Sequence, residues 1–298
     1  MKFLPVVFST LLAMSLSTHA DDASPIAEGA KPEVLSEGYI FTEGPATDRD
    51  GNVFFTDQPN DRIVKYSAAD GTFSDWLKPA GRSNGTFFDQ AGNLIACADE
   101  KNELWSIAPD KKVTVLLSDF GGKLLNGPND VWLRSDGNLY FTDPLYARDY
   151  WKRDKAPQQP GQYVYFFDMK TKKATPVATD LKQPNGIVGT PDGKTLYVAD
   201  IGAGKTYSYA IQPDGTLTNK TLFCEMGSDG MTLDAEGNVY LSGKGVTVFD
   251  KTGKKLTNIP IPEPWTGNVK FGGKDRRLLF IAASKKVYGV KMRVPGAQ

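Results

Sequence analysis

From about residue 42 onward, short apolar runs alternate with polar turns, and no stretch keeps the 3.6-residue period of an amphipathic helix. One unit recurs. Aligned, its copies are ATDRDGNVFFTD (46–57), FFDQAGNLIACAD (87–99), VWLRSDGNLYFTD (131–143), IVGTPDGKTLYVAD (187–200), MTLDAEGNVYLSG (231–243) and VKFGGKDRRLLFIAA (269–283). Each copy is an apolar strand, a polar turn, then a strand of alternating aromatic and β-branched residues. That is the pattern of a β-hairpin, several times with Gly-Asn at the turn. The turn glycines are Gly51, Gly92, Gly137, Gly193 and Gly237, and Arg276 stands at the sixth place.

The spacings between turns are 41, 45, 56, 44 and 39 residues, and each gap holds a further strand pair such as RIVKYSAADGTFSDWL or QYVYFFDMKTKKATPVA. A repeat of this length with four strands is the unit of a propeller blade. The pattern therefore predicts an all-β chain, a six-bladed β-propeller with a central axial metal site, in which few sheet edges are left open. The long third spacing contains DPLYARDYWKRDKAPQQPGQ (143–162), too polar and proline-rich for strands. We read it as a loop over one face, where long loops are often functional.

The chain opens MKFLPVVFSTLLAMSLSTHA, a basic residue, an apolar run and small residues at Thr18 and Ala20. This predicts a signal peptide over 1–20, a linker over 21–32 and the propeller over 33–294, with export to the periplasm or the medium. Without Lys2 the chain keeps 34 basic and 35 acidic residues, a balance that gives no reason to expect nucleic acid as a partner. No other run is long and apolar enough to span a bilayer. No pattern fixes an oligomeric state. The single histidine, His19, lies in the leader, so the mature protein has none. That excludes Ser-His-Asp and Cys-His catalysis and nearly every catalytic zinc site. Cys97 and Cys224 form no disulfide framework and are expected as buried free thiols.

Counting eight residues back from each turn position gives Glu43, Asn84, Asn129, Asn185, Asp229 and Asn268. All six are acids or asparagines, and four are followed at once by glycine. In a propeller they begin the innermost strands, so their side chains start at one end of the central channel. Asparagine and aspartate also open strands through ordinary Asx turns, which leaves Glu43 unexplained. Hard oxygen donors without histidine or thiolate favour a divalent cation, Ca2+ above all, with Mg2+, Mn2+ and Zn2+ as alternatives. Glu43 and Asp229 supply two negative charges and the asparagines fill further positions.

TEGP (42–45), PND (128–130), YFTDP (140–144), PNG (184–186) and SDG (228–230), in this order, resemble the senescence-marker protein/gluconolactonase/luciferin-regenerating-enzyme family over roughly residues 33–292. The resemblance implies a six-bladed propeller with an axial cation that hydrolyses lactones. It implies Glu43, Asn185 and Asp229 as metal ligands, Asn129 as ligand or substrate contact, and Asp229 as the acid/base or nucleophilic group. Two positions depart: Gly127 stands where animal members carry arginine, and Ala147 lies near the place of a glutamate.

The expected chemistry is cation-assisted opening of a sugar-type or related lactone, with Asn84, Asn129 and Asn268 donating hydrogen bonds to the substrate. Tyr146 and Arg148, with Tyr150 and Trp151 of the long loop, are candidates to close over it, with plain loop packing as the alternative. The alternatives are an organophosphate or aryl-ester hydrolase on the same site, or a propeller that only binds a ligand or protein. GRSNG (81–85) has the spelling of a nucleophile elbow but no histidine partner. GAGKT (202–206) lacks the first glycine and the helix of a phosphate loop. DRDGN (48–52) lacks the closing glutamate of a calcium loop and is read as a hairpin turn.

Overall fold

The computed structural model describes Met1 and residues 24–297. The expected leader beyond Met1, with His19 and the cleavage site after Ala20, lies outside the described residues. Six four-stranded antiparallel sheets make up the chain, and among the described residues no helix is long and apolar enough to cross a membrane.

Blade 1 is β2 (Thr42–Thr47), β3 (Val53–Asp57), β4 (Arg62–Tyr66) and β5 (Phe73–Leu77). Blade 2 is β6 (Ser83–Phe88), β7 (Leu94–Ala98), β8 (Glu103–Ile107) and β9 (Val113–Leu117). Blade 3 is β10 (Val131–Leu133), β11 (Leu139–Asp143), β12 (Tyr163–Asp168) and β13 (Lys173–Ala178). Blade 4 is β14 (Pro184–Gly189), β15 (Thr195–Asp200), β16 (Lys205–Ile211) and β17 (Leu217–Cys224). Blade 5 is β18 (Met231–Leu233), β19 (Val239–Gly243), β20 (Gly245–Phe249) and β21 (Lys255–Ile259). Blade 6 takes β22 (Asn268–Gly272), β23 (Leu278–Ala283) and β24 (Lys286–Lys291) from the C-terminal end, and β1 (Glu33–Glu37) from the N-terminal end. β1 pairs antiparallel with β24, so one blade joins both ends of the propeller and closes the ring.

The six predicted hairpins are the two inner strands of the six blades. Their second strands are buried along nearly their whole length, because neighbouring blades cover both faces. That is why these segments read as near-continuous apolar runs. Between blades the large side chains interlock, as where Tyr240 meets Phe271 at 5.2 Å and Phe55 meets Phe280 at 5.4 Å. Cys97 and Cys224 are buried free thiols, as expected.

The turns are built locally. In DRDGN, Asp48 Oδ1 accepts from the amides of Asp50 at 3.0 Å and Asn52 at 2.9 Å, while Asp48 Oδ2 accepts from Asn52 Nδ2 at 2.8 Å. Asp89 with Asn93 and Asp234 with Asn238 repeat the arrangement. The carboxylate of DRDGN is thus committed to its own turn. No regular element lies between Asp143 and Tyr163, in keeping with the loop expected there.

Candidate functional site

Two side chains at the end of the second inner strand place the residues of the axial ring. The carboxylate that ends this strand grips the backbone just ahead of the ring residue in its own blade. Asp57 accepts from the amides of Ile40 at 3.0 Å and Phe41 at 3.4 Å, ahead of Glu43. Asp143 accepts from Asn126 at 2.9 Å and Gly127 at 2.8 Å, ahead of Asn129. Asp200 accepts from Lys182 at 2.9 Å and Gln183 at 2.8 Å, ahead of Asn185. The preceding hydroxyl reaches the next blade: Thr56 Oγ1 donates to Asn84 O at 3.1 Å and Thr142 Oγ1 to Asn185 O at 2.8 Å. The repeated Phe-Thr-Asp therefore fixes two ring positions at once, one in its own blade and one in the next. The sequence displays this tripeptide without showing its partners.

The same convergence explains the glycine in PNG. Neighbouring inner strands approach backbone to backbone near the axis, and a Cβ on Gly186 would lie 2.8 Å from the carbonyl oxygen of Asp229. At Gly230 the crowding is tighter, with the added Cβ 1.9 Å from Cγ of Asn268.

Glu43 and Asp229 come together at this end of the channel. Asn185 Nδ2 donates to Asp229 Oδ1 at 2.8 Å and to the Tyr146 hydroxyl at 2.9 Å. Trp265 Nε1 donates to Asp229 Oδ2 at 2.6 Å. Across the axis Asn268 Nδ2 donates to Glu43 Oε2 at 3.1 Å, and the Gly44 amide donates to the same oxygen at 2.6 Å. Burial, and after it the Asp229 charge, holds Glu43 well above the usual carboxylate range. Burial raises Asp229 to about 6 against the bonds from Trp265 and Asn185. Burial and the Asp229 charge push Tyr146 up to about 12, so its hydroxyl stays protonated near neutrality.

The predicted residues take different places in this cluster. Asn185, Asp229 and Tyr146 form one hydrogen-bonded group, Glu43 and Asn268 a second, and the two carboxylates are close enough for the charge of Asp229 to raise Glu43. Asn268, expected as a substrate contact, uses Nδ2 on Glu43 and Oδ1 on the amide of Val269 at 2.8 Å. Asn84 and Asn129 are buried on their own inner segments. Arg148 lies with its guanidinium carbon 5.5 Å from the centre of the Tyr146 ring. Tyr150 and Trp151 turn away from the axis and bond to Asp99.

Three residues of the region were not singled out from sequence. Trp265 stands three residues before Asn268, a spacing that carries no motif. Asp130 and Lys270 lie deeper along the inner strands, both buried. Burial raises Asp130 to about 7 and lowers Lys270 to about 8, each shift opposed by the charge of the other. The acid of PND was a visible signal; a lysine inside an inner strand was visible too, but only burial makes it notable.

The donor set fits a hard cation. Among the described residues no three His, Cys, Asp or Glu side chains converge as a ligand group. What converges is two carboxylates with carboxamide oxygens. Asn185 Oδ1 and Asn84 Oδ1 are buried and receive no hydrogen bond among the described residues, and buried acceptors are nearly always satisfied. A positive charge beside Glu43 and Asp229 would relieve both their repulsion and their desolvation.

The profile of the SMP-30/gluconolactonase/LRE-like region matches residues 41–285, most of the chain. The chain belongs to this family. A gluconolactonase of Zymomonas mobilis is 26% identical over 294 residues, covering 89% of this chain and 82% of its own length. The solved structure of a Xanthomonas campestris gluconolactonase superposes with a TM-score of 0.81 at 26% identity, covering 90% of this chain and 91% of that one. A calcium-binding regucalcin of Agrobacterium tumefaciens shares the fold, with a TM-score of 0.73 at 20% identity over 91% of this chain and 96% of its own. The six-bladed propeller expected from the repeat is the architecture of the family.

Proposed function

We propose that this family member is a cation-dependent lactonase of the gluconolactonase type, with Ca2+ as its ion. The observation that carries the reading is the axial cluster. Two buried carboxylates, Glu43 and Asp229, stand with an Asn185 side-chain oxygen, Oδ1, that has no donor among the described residues, and with Tyr146 and Arg148. The gluconolactonase relatives support the substrate class, and the calcium-binding neighbour supports the ion at the level of the fold.

Glu43, Asn185 and Asp229 would hold the cation, with Asn129 as a further oxygen donor. When bound, such an ion supplies positive charge beside the lactone carbonyl and keeps both carboxylates ionised. The chain's own groups do the rest. Trp265 Nε1 and Asn185 Nδ2 each engage one oxygen of Asp229 and fix its plane. In that orientation Asp229 accepts a proton from the water that attacks the lactone carbonyl carbon. The ring C–O bond then breaks, the proton passes to the departing alkoxide, and a hydroxy acid leaves. The amides of Asn84 and Asn129 donate to oxygens of the substrate. Tyr146, neutral and already bonded to Asn185, offers its hydroxyl proton to the same end of the site. The leader supports a further part of the proposal, that the mature enzyme works outside the cytoplasm.

The test is proton release from glucono-δ-lactone and from unsubstituted γ- and δ-lactones, with and without EDTA. Turnover that is lost in EDTA, restored by Ca2+ and absent in Asp229→Asn is the expected result. Turnover that persists through chelation and in Asp229→Asn would overturn the proposal.

A further inference from the structure

The closing carboxylate of the second blade stands outside the scheme that governs its counterparts. Asp57, Asp143 and Asp200 each grip the backbone amides two and three positions ahead of their ring residue. By that rule Asp99 would hold the amides of Gly81 and Arg82, ahead of Asn84. It does not. The amides of Ala80 and Arg82 bond to Asp61 Oδ1 instead, at 2.9 and 2.7 Å. A carboxylate supplied by the preceding blade has taken over the local task and released Asp99.

Asp99 is nevertheless almost fully buried, and its freed oxygen is engaged elsewhere. Oδ2 accepts from Arg148 Nε at 3.1 Å, from Gln58 Nε2 at 3.2 Å and from the Tyr150 hydroxyl. Its backbone carbonyl accepts from Trp151 Nε1 at 2.8 Å. Three close neighbours of the long loop are thus fastened to one residue of another blade, in a segment with no ladder of its own. Arg82, beside the ring residue Asn84, adds its guanidinium over the Tyr150 ring at 4.5 Å.

The fastening leads straight to the axis. Arg148 lies over Tyr146, the Tyr146 hydroxyl receives Asn185 Nδ2, and the same nitrogen reaches Asp229. The Arg148 side chain bonds to Asp99 through Nε and, among the described residues, makes no other hydrogen bond. Its two terminal nitrogens remain as donors at the wall of the site, where its charge reaches Asp229.

We infer that Asp99 is a positioning residue for substrate recognition: it holds Arg148 and Tyr150 so that the Arg148 terminal nitrogens meet an oxygen substituent on the lactone ring. The ligand class follows from the donors, since a planar cation with two free N–H edges recognises hydroxyl or carboxylate oxygens and gains nothing from a bare methylene ring. The substrate part rests on the lactonase reading; the part concerning the loop does not.

The experiment uses the full mature chain as Asp99→Ala, Asp99→Asn and Arg148→Gln. Asp99→Asn keeps the volume of the buried side chain if alanine folds poorly. Hydrogen exchange over residues 144–152 is expected to accelerate about tenfold or more in both Asp99 variants, with the amides of Ala80 and Arg82 unchanged because Asp61 holds them. For glucono-δ-lactone KM is expected to rise about tenfold in all three variants with kcat nearly constant, while unsubstituted δ-valerolactone is unaffected. Unchanged exchange over the loop overturns the inference, and so does a fall in kcat that strikes both lactones alike. If the wild type hydrolyses neither lactone, the lactonase reading fails, and the exchange experiment alone decides what Asp99 holds.

Discussion

Asp200→Ala isolates the device that places Asn185. The wild-type carboxylate is buried and accepts from the amides of Lys182 at 2.9 Å and Gln183 at 2.8 Å. Alanine cannot form a cavity large enough to matter, but it leaves two backbone N–H groups without an acceptor in a region where water has little access. A buried group deprived of its partner costs about 1–3 kcal/mol. At about 1.5 kcal/mol for each amide, the expected loss is about 3 kcal/mol. In a domain of this size each kcal/mol moves Tm by about 2–4 °C, so a fall of about 6–12 °C is expected. Asp200→Asn keeps one acceptor oxygen and turns an NH2 group toward the other amide, so it should lose at least half as much. Urea unfolding gives the free energy, and hydrogen exchange at residues 182 and 183 shows whether the loss is local. The comparator is Asp99→Ala, whose side chain holds no such amides, so the amides of Ala80 and Arg82 ahead of its own ring residue should stay protected. The reasoning is refuted if Asp200→Ala stays within about 0.5 kcal/mol of the wild type, or if its Lys182 and Gln183 amides remain protected.

Three further outcomes follow from the site. Glu43→Gln is expected to weaken Ca2+ binding at least about a hundredfold by calorimetric titration, since it removes one of the two charges proposed to hold the ion; unaltered affinity would place the ion elsewhere. Gly230→Ala forces a Cβ to within 1.9 Å of Asn268 Cγ. Moving that side chain breaks its bond to Glu43, which should cost about 1.5–3 kcal/mol and most of the Ca2+ affinity; a variant with wild-type stability and binding would show that the strands adjust. Burial raises Asp143 to about 7. An aspartate with a folded value above its unfolded value binds protons preferentially in the native state, so its contribution lowers stability as pH rises from about 4 to about 7. Asp143→Asn should therefore flatten the fall in unfolding free energy between pH 5 and pH 8, and an unchanged slope would show that Asp143 does not titrate there.

The architecture was legible because its causes are local. A two-residue side-chain period, a Gly-Asn turn and an Asp that folds back on that turn all act within one hairpin, and six spaced copies determine six blades. The ring positions were legible for the same reason: they sit at a fixed distance from each turn. The role of the repeated Phe-Thr-Asp was not. Its threonine acts on the next blade, as Thr142 does on Asn185, 43 positions away.

Composition left oxygen donors as the expected chemistry, since the one histidine, His19, lies in the expected leader. The resemblance in five short motifs pointed to the family, and the family profile covers those motifs. The six ring residues looked equivalent along the chain, whereas the folded protein makes them unequal. Asn268 turns to Glu43, Asn185 bridges Asp229 and Tyr146, and Asn84 keeps a buried oxygen without a donor. The order of residues shows which group stands at each ring position, while the partners of each group come from other blades.

By itself, then, the sequence determined the strands, the turns, the number of blades and the chemical character of the axis, because each depends on neighbours within a single repeat. Only the tertiary structure decided that β1 completes the last blade, that Trp265 bonds to Asp229, and that Asp99 bonds to a loop from the next blade and not to the backbone of its own. Those contacts join segments 36 to 254 residues apart, as between Trp265 and Asp229 or between Val34 and Tyr288. Their physical reason is the closed ring itself, which brings every inner strand to one axis and lets a side chain in one blade satisfy a polar group in another.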